Sequence, residues 1–271
     1  MAETAPPLGL IAGSRQLPFV FAREARRQGR RVVAVAFEGE TDPALAAEVA
    51  EIEWLRVGQL GKMIRALTQR GAQQCVMLGQ IAPRNLFDLR PDLRAMAILL
   101  RLKRKNAHTL FGAIAEELAK DGVQLIEAIP WLQPWIPQTG FQAGPRLSEE
   151  EQEDVEYGTG VAAEVARLDI GQSVVVKRGT VLAVEGFEGT DACLERGGKL
   201  AGKDGGAVAV KRAKAGHDLR FDIPCIGPRT VETCASHGVR VLAVEAGRSL
   251  MLERPEVERL AKERGVTVLA G

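Results

Sequence analysis

The sequence predicts an α/β protein: an N-terminal Rossmann-like domain with a parallel sheet, a proline-rich linker, and a second, C-terminal α/β domain. Three observations carry this expectation. From residue 8 to residue 127, short β-branched or apolar runs alternate with longer helical stretches, the pattern of βαβ units. Pro130, Pro134, Pro137 and Pro145 then cluster in one stretch and bias each preceding residue toward extended backbone. A second series of strands and helices follows, and a chain of 271 residues is long enough to bury two cores. The expected boundaries are 1–129 for the first domain, 130–147 for the linker and 148–271 for the second domain.

In chain order, strands are expected at Leu8–Ala12, Val32–Phe37, 52–57, Gln74–Leu78 and 123–127. A helix over 18–28 begins with Pro18 in its first turn and stops before Gly29; another, Leu60–Gln69, runs toward Gly71. Residues 90–105 form a basic amphipathic stretch, read either as a helix covering the sheet with its basic face in water or as a surface for anionic lipid. Trp131 and Trp135 are expected to pin the linker onto one domain. Ser148-Glu-Glu-Glu151 is a capping-box pattern that opens a helix to about Leu168. Strands at Ser173–Lys177 and 181–185 flank the hairpin-like turn Arg178-Gly179, with further strands at Ala207–Lys211, 240–245 and 266–269 and a last helix from Pro255 to Gly265.

Composition narrows the function. Thirty-six basic side chains against 35 acidic ones give a net charge of +1, which argues against a surface built for nucleic acid. Cys75, Cys193, Cys225 and Cys234 include no CxxC pair, so a reducing compartment is expected. The first residues carry an acid and two prolines rather than a secretory pattern, and no segment offers enough consecutive apolar residues to span a bilayer. The expected location is cytoplasmic, touching a membrane without crossing it.

Two regions carry chemistry. Gly13-Ser14-Arg15-Gln16-Leu17 is a glycine turn between the first strand and first helix, where backbone N–H groups receive an anion or nucleotide. It lacks two of the three glycines of a dinucleotide fingerprint, although Glu38 ends the second strand where such folds keep a ribose-binding acid, and no P-loop is present. In the second half, Glu185-Gly-Phe-Glu188-Gly-Thr190-Asp191 places three carboxylates and a hydroxyl at a glycine turn. Lys211, Lys214, His217, Asp218, Arg220 and Asp222 follow in one charged run. Carboxylates bind hard divalent cations while Lys and Arg oppose phosphate oxygens, so the pair of segments fits phosphoryl chemistry better than acyl or hydride transfer. His108, His217 and His237 are dispersed, and Cys234-x-x-His237 lacks the companion pair of a structural zinc site. The residues alone leave open a nucleotide- or lipid-binding regulatory module without turnover, and an NAD-dependent dehydrogenase.

Over essentially its whole length the chain resembles the LpxI-type UDP-2,3-diacylglucosamine pyrophosphatases of the lipid A pathway. The residues that carry the resemblance are Gly9-Leu-Ile-Ala-Gly13, Gln16-Leu-Pro18, Glu188-Gly-Thr-Asp191, Lys211, Lys214, Asp218-Leu-Arg-Phe-Asp222-Ile-Pro224 and Ile226-Gly227. It departs at Arg15, where the family often has another glycine, at His217, where glutamine is frequent, and at Lys105-Asn-Ala-His-Thr109. The resemblance implies hydrolysis of UDP-2,3-diacylglucosamine to UMP and 2,3-diacylglucosamine 1-phosphate by water attack at the α-phosphorus, with Mg²⁺ or another divalent cation. Asp222 is the expected essential carboxylate, with Lys211, Lys214 and Arg220 opposing the developing charge. Asp222, Asp191 and Glu188 are the expected metal ligands. Gly13, Ser14, Gln16, Leu17, Gly79, Gln80, Thr190, Asp191 and Lys214 are the expected substrate contacts. Expected partners are the lipidated nucleotide sugar, a membrane surface and a second copy of the chain. Because acyl chains are costly to expose to water, the segment 93–102 and the Trp131–Trp135 connector are candidate lipid-facing surfaces.

Overall fold

A computed structural model describes residues 5–81, 91–102, 107–213, 218–221 and 223–271. They form two compact units: the first takes the described residues up to Leu132 together with 218–221, and the second takes 133–213 and 223–271.

The first unit comprises β1 (Leu8–Ala12), α1 (Leu17–Arg27), β2 (Val32–Phe37), β3 (Glu51–Leu55), α2 (Leu60–Gln69), β4 (Gln74–Leu78), α3 (Leu93–Arg101), α4 (Ala107–Lys120) and β5 (Gln124–Leu125). Its five strands are parallel in the order β3-β2-β1-β4-β5. Every residue of β1 and β2 is buried, as expected for central strands covered on both faces. On one face Val33, Val35, Ile64, Leu67 and Leu118 form the core. The third strand stops at Leu55, short of the expected 57, because Arg56 N–H is diverted to the Gln59 side chain at 3.0 Å and Gly58 turns the chain at φ 99°. The fifth keeps two residues of the expected 123–127, paired to Gln74 and Cys75, and a 3₁₀ turn (Ile129–Trp131) follows. Trp131 packs edge-on against Phe21 of α1 at 5.9 Å, and its carbonyl accepts from Gln28 Nε2 at 3.1 Å.

The second unit comprises β6 (Gln142–Ala143), α5 (Glu149–Arg167), β7 (Ser173–Lys177), β8 (Thr180–Val184), α6 (Thr190–Leu200), β9 (Ala207–Lys211), β10 (Cys225–Ile226), α7 (Pro228–Ser236), β11 (Val239–Val244), β12 (Leu250–Met251), α8 (Arg254–Arg264) and β13 (Thr267–Ala270). Six strands form a mixed sheet in the order β6-β13-β11-β9-β7-β8, with β9, β11 and β13 parallel and β7 antiparallel to both of its neighbours. Strand β6 lies within the stretch expected to be linker; the open edge of β13 recruits it through Val268 and Leu269. Helix α5 begins with the expected capping box, Glu151 N–H donating to Ser148 Oγ at 3.2 Å and Ser148 N–H to Glu151 Oε2 at 2.8 Å.

The pleat of this sheet decides where its polar residues go. Val174, Val176, Val208 and Val210 point to the side packed by α5, with Val155, Ala162 and Val165. Val175, Ala207 and Ala209 point to the opposite side, with Leu194 and Val231 of α6 and α7. By the same alternation Ser173 and Lys211, paired across β7 and β9, face α6. That helix comes close because Gly197 bears no side chain: a Cβ there would meet Val175 Cβ at 2.5 Å. On the α5 side, buried Asp154 accepts from Arg178 N–H and Gly179 N–H, both at 2.8 Å, so one carboxylate holds the β7–β8 turn.

Candidate functional site

The second unit gathers a buried polar cluster where β7 begins, β9 ends and α6 starts. Lys211 is 6% exposed, and its Nζ donates to Thr190 Oγ1 at 2.6 Å. Thr190 in turn donates to the Glu185 carboxylate, at 3.0 and 3.1 Å from its two oxygens, and Ser173 Oγ lies 3.4 Å from the same hydroxyl. Glu185 is 9% exposed. Burying an ammonium costs several kcal/mol unless it is paired, and here the hydroxyl links it to a carboxylate of opposite charge. An ammonium has three N–H donors, of which Thr190 takes one. Thr190 opens α6, whose N-cap is Gly189 at φ 84°, so the ammonium sits beside the positive end of a helix dipole. The arrangement can neutralise phosphate oxygens. Thr190 and Lys211 are thus brought together as expected. Glu185 and Ser173 join the cluster without a motif of their own; the signal for them is position, one at the end of a strand and one at the start of its neighbour.

The expected carboxylates nearby have other partners. Glu188 accepts from Arg196 Nη2 at 2.5 Å and from Gly186 N–H at 3.0 Å, and Arg196 holds its carboxyl below the ordinary value. Asp191 pairs with Arg229 at 3.1 Å. Glu245, just beyond β11, accepts from Arg212 at 3.1 Å and from Ala213 N–H at 3.0 Å, fixing the chain where it leaves β9. Phe187, in the turn before α6, is fully exposed.

In the first unit the strand order reverses between β1 and β4, the switch point where open α/β sheets bind ligands beyond their carboxyl ends. There Ser14 and Gln80 form an antiparallel bridge, reinforced by Ser14 Oγ donating to Gln80 O at 2.7 Å. Two glycines permit it. A Cβ on Gly13 would lie 2.6 Å from Gln80 O, and one on Gly79, at φ 93°, would lie 2.6 Å from Ser14 O. Arg15 adopts φ 72°, a left-handed conformation that favours glycine. Gln16 and Gln80 are exposed, whereas Leu17 is buried at the start of α1. Thr41 ties down the end of β1, donating to Ala12 O at 2.6 Å and accepting from Phe37 N–H at 2.9 Å. Glu38 pairs with Arg56 at 3.5 Å on the exposed surface.

Residues 218–221 belong to the first unit. Arg220 forks onto Asp218, Nε to Oδ1 at 2.8 Å and Nη2 to Oδ2 at 2.5 Å, which raises the guanidinium pKa above its ordinary value. The charge expected to oppose phosphate is therefore already met by a carboxylate two residues away. Phe221 packs on Phe111 of α4 at 5.9 Å. Lys214, His217 and Asp222 lie outside the described residues. Among the described residues no group of three metal-ligating side chains comes together. Nor is any described helix long and apolar enough to cross a membrane.

A switch-point glycine turn in one unit and a buried lysine beside a helix start in the other mark a two-unit α/β protein. Residues 7–135 match the LpxI N-terminal domain and residues 138–269 the LpxI C-terminal domain, and the chain belongs to that family. It is 32% identical over 275 residues to the UDP-2,3-diacylglucosamine pyrophosphatase LpxI of Caulobacter vibrioides, covering 97% of this chain and 96% of that one. The chain is accordingly an enzyme of the hydrolase class. Among solved structures it is similar to N5-carboxyaminoimidazole synthetase from Staphylococcus aureus at 14% identity, over 69% of this chain and 42% of that one, with a TM-score of 0.25. It is also similar to the biotin carboxylase domain of a thermophilic 2-oxoglutarate carboxylase at 13% identity, over 68% and 36%, with a TM-score of 0.27.

Proposed function

We propose that this chain hydrolyses the pyrophosphate bond of UDP-2,3-diacylglucosamine to UMP and 2,3-diacylglucosamine 1-phosphate at the cytoplasmic face of the inner membrane. The observation that carries the proposal is the buried Lys211–Thr190–Glu185 chain at the start of α6. It supports a site for the negative charge that accumulates on phosphate oxygens, and the full-length similarity to a named pyrophosphatase supports the choice of substrate.

In this reading, Lys211 and the first N–H groups of α6 oppose charge on the pyrophosphate, while Glu185 fixes the Thr190 hydroxyl that steers the ammonium. Gly13, Ser14, Gln16, Gly79 and Gln80, at the first unit's switch point, are the proposed contacts for the sugar phosphate or nucleotide, with Gln16, Gly79 and Gln80 exposed there. Asp222 is the proposed carboxylate for the attacking water. Water adds its oxygen to the α-phosphorus, the bond from that phosphorus to the bridging oxygen breaks, and the sugar phosphate leaves with the bridging oxygen. A divalent cation is proposed as a requirement, with Asp222 joined by Asp191 or Glu188. Those two described carboxylates are paired with arginines, Glu188 with Arg196 and Asp191 with Arg229.

The test is ³¹P NMR of purified protein with the substrate, with Mg²⁺ and with EDTA, in ¹⁸O-labelled water. UMP carrying the label, formed only with the cation, is the expected result, and Asp222→Ala is expected to abolish it while the chain stays folded. Line broadening without new resonances would instead mark a binding module without turnover.

A further inference from the structure

Helix α3 is mounted with its charge turned inward. Asp92 caps it, accepting from Ala95 N–H at 2.9 Å and from Gly61 N–H of α2 at 2.7 Å. Arg94 reaches back to α4, Nε donating to Glu117 Oε2 at 2.7 Å and Nη1 to Asp121 Oδ2 at 2.5 Å. Ile98 is buried. The outer face therefore carries Leu93 at 91% exposure, Met96 at 42% and Leu100 at 80%, with Ala97 and Arg101 beside them. Their spacing of three, four, seven and eight residues puts all five on one stripe. Single exposed leucines are ordinary, but a contiguous apolar stripe in water marks a contact surface.

Charge says what kind of surface it meets. Between residues 90 and 105 the sole acid is Asp92, used as the cap, whereas Arg101 borders the stripe and the sequence runs on through Lys103, Arg104 and Lys105. We propose that α3 docks the enzyme on an anionic lipid surface. Leu93, Met96 and Leu100 enter the boundary between headgroups and acyl chains, and Arg101 meets lipid phosphates. The proposal rests on the reading of the substrate as diacylated: such a molecule resides in a bilayer and must be drawn from it.

The test uses the full-length protein, its Leu93→Ser/Leu100→Ser variant and its Arg101→Gln variant. Each is sedimented with vesicles of phosphatidylcholine containing phosphatidylglycerol, and each is assayed in parallel on substrate dispersed in detergent micelles. The wild type is expected to bind, less at high salt. The double serine variant is expected to bind more weakly by about a hundredfold or more, from two lost leucine burials, and Arg101→Gln severalfold more weakly at low salt. Both variants are expected to retain wild-type melting and wild-type turnover of the micellar substrate. No vesicle binding by the wild type, or equal binding by the double variant, overturns the proposal. A double variant that also loses micellar turnover would reassign the stripe to the acyl chains of the substrate and overturn it as well. Vesicle binding by a protein that never cleaves the micellar substrate would refute the proposed reaction and leave the surface standing.

Discussion

Lys211 Nζ and Thr190 Oγ1 are 2.6 Å apart, and this contact joins the end of β9 to the first residue of α6. It exists because Ser173 and Lys211 pair across the sheet and share the face that α6 covers. Replacing Lys211 with methionine keeps the packing volume and removes the charge. Lys211→Met is expected to lower kcat by about a hundredfold to a thousandfold, the range for losing one preorganised charge-stabilising donor. Circular dichroism should show an intact fold. Turnover within a few-fold of wild type would remove Lys211 from the reaction.

The Ser14–Gln80 bridge predicts a local defect. Gly13→Ala places a methyl group against the Gln80 backbone, which cannot rotate away as a side chain would. The expected cost is about 1–3 kcal/mol, seen as a lowered Tm, with weaker substrate binding. An unchanged Tm and KM would show that the bridge adjusts freely.

Asp154 predicts a larger structural effect away from the cluster. Asp154→Ala leaves the Arg178 and Gly179 N–H groups without their carboxylate, for an expected loss of about 2–4 kcal/mol in urea denaturation. Asp154→Asn should recover part of it, since the amide oxygen still accepts one bond.

Glu117 predicts a dependence on acid. Lys120 and Arg94 hydrogen-bond its carboxylate and hold its pKa below the ordinary 4.5. Because the folded value is the lower one, the stability it contributes is complete above the unfolded value and disappears as pH falls through the folded one. In melting experiments between about pH 5 and pH 3, Glu117→Gln should show a shallower loss of stability than wild type. Parallel curves would contradict the assignment.

The cysteines give a chemical check on burial. Cys75, Cys193 and Cys234 are buried, and burial pushes each thiol up to about 12. Cys225 is half-buried, with its Sγ donating to Ile223 O at 3.0 Å. At neutral pH a thiol reagent should label Cys225 in the native protein and all four after denaturation. Rapid native labelling of Cys193 would mean that α6 opens from the sheet.

Much of this architecture is legible in the sequence where a segment's own residues decide its state. The runs at β1, β2, β4, β7 and β9 are continuous and apolar, and their bounds coincide with the expected ones. The Ser148 capping box closes within three residues of itself. Elements that depend on distant partners are not legible. Strands β6, β10 and β12 have two residues each, too few for any periodicity. Helix α6 is hidden by Gly197 and Gly198, poor helix formers placed there by the close approach of β7 to the first and of the His237 backbone to the second. The pattern of α3 announces two faces, yet only Glu117 and Asp121 on α4 decide that Arg94 turns inward. At the cluster, the Thr190 and Lys211 motifs stand out by composition, whereas the meeting of Glu185 and Ser173 at one hydroxyl needs the antiparallel registers of β7.

The placement of 218–221 in the first unit has a consequence for how such enzymes can be recombined. A gene cut after residue 132 would yield an amino-terminal fragment whose Phe111 ring lacks its aromatic neighbour. The remaining fragment would carry Phe221 without the Phe111 ring and the core of its own unit. Swapping halves between relatives as cassettes therefore demands a three-piece graft, with the short aromatic segment taken from the donor of the front half.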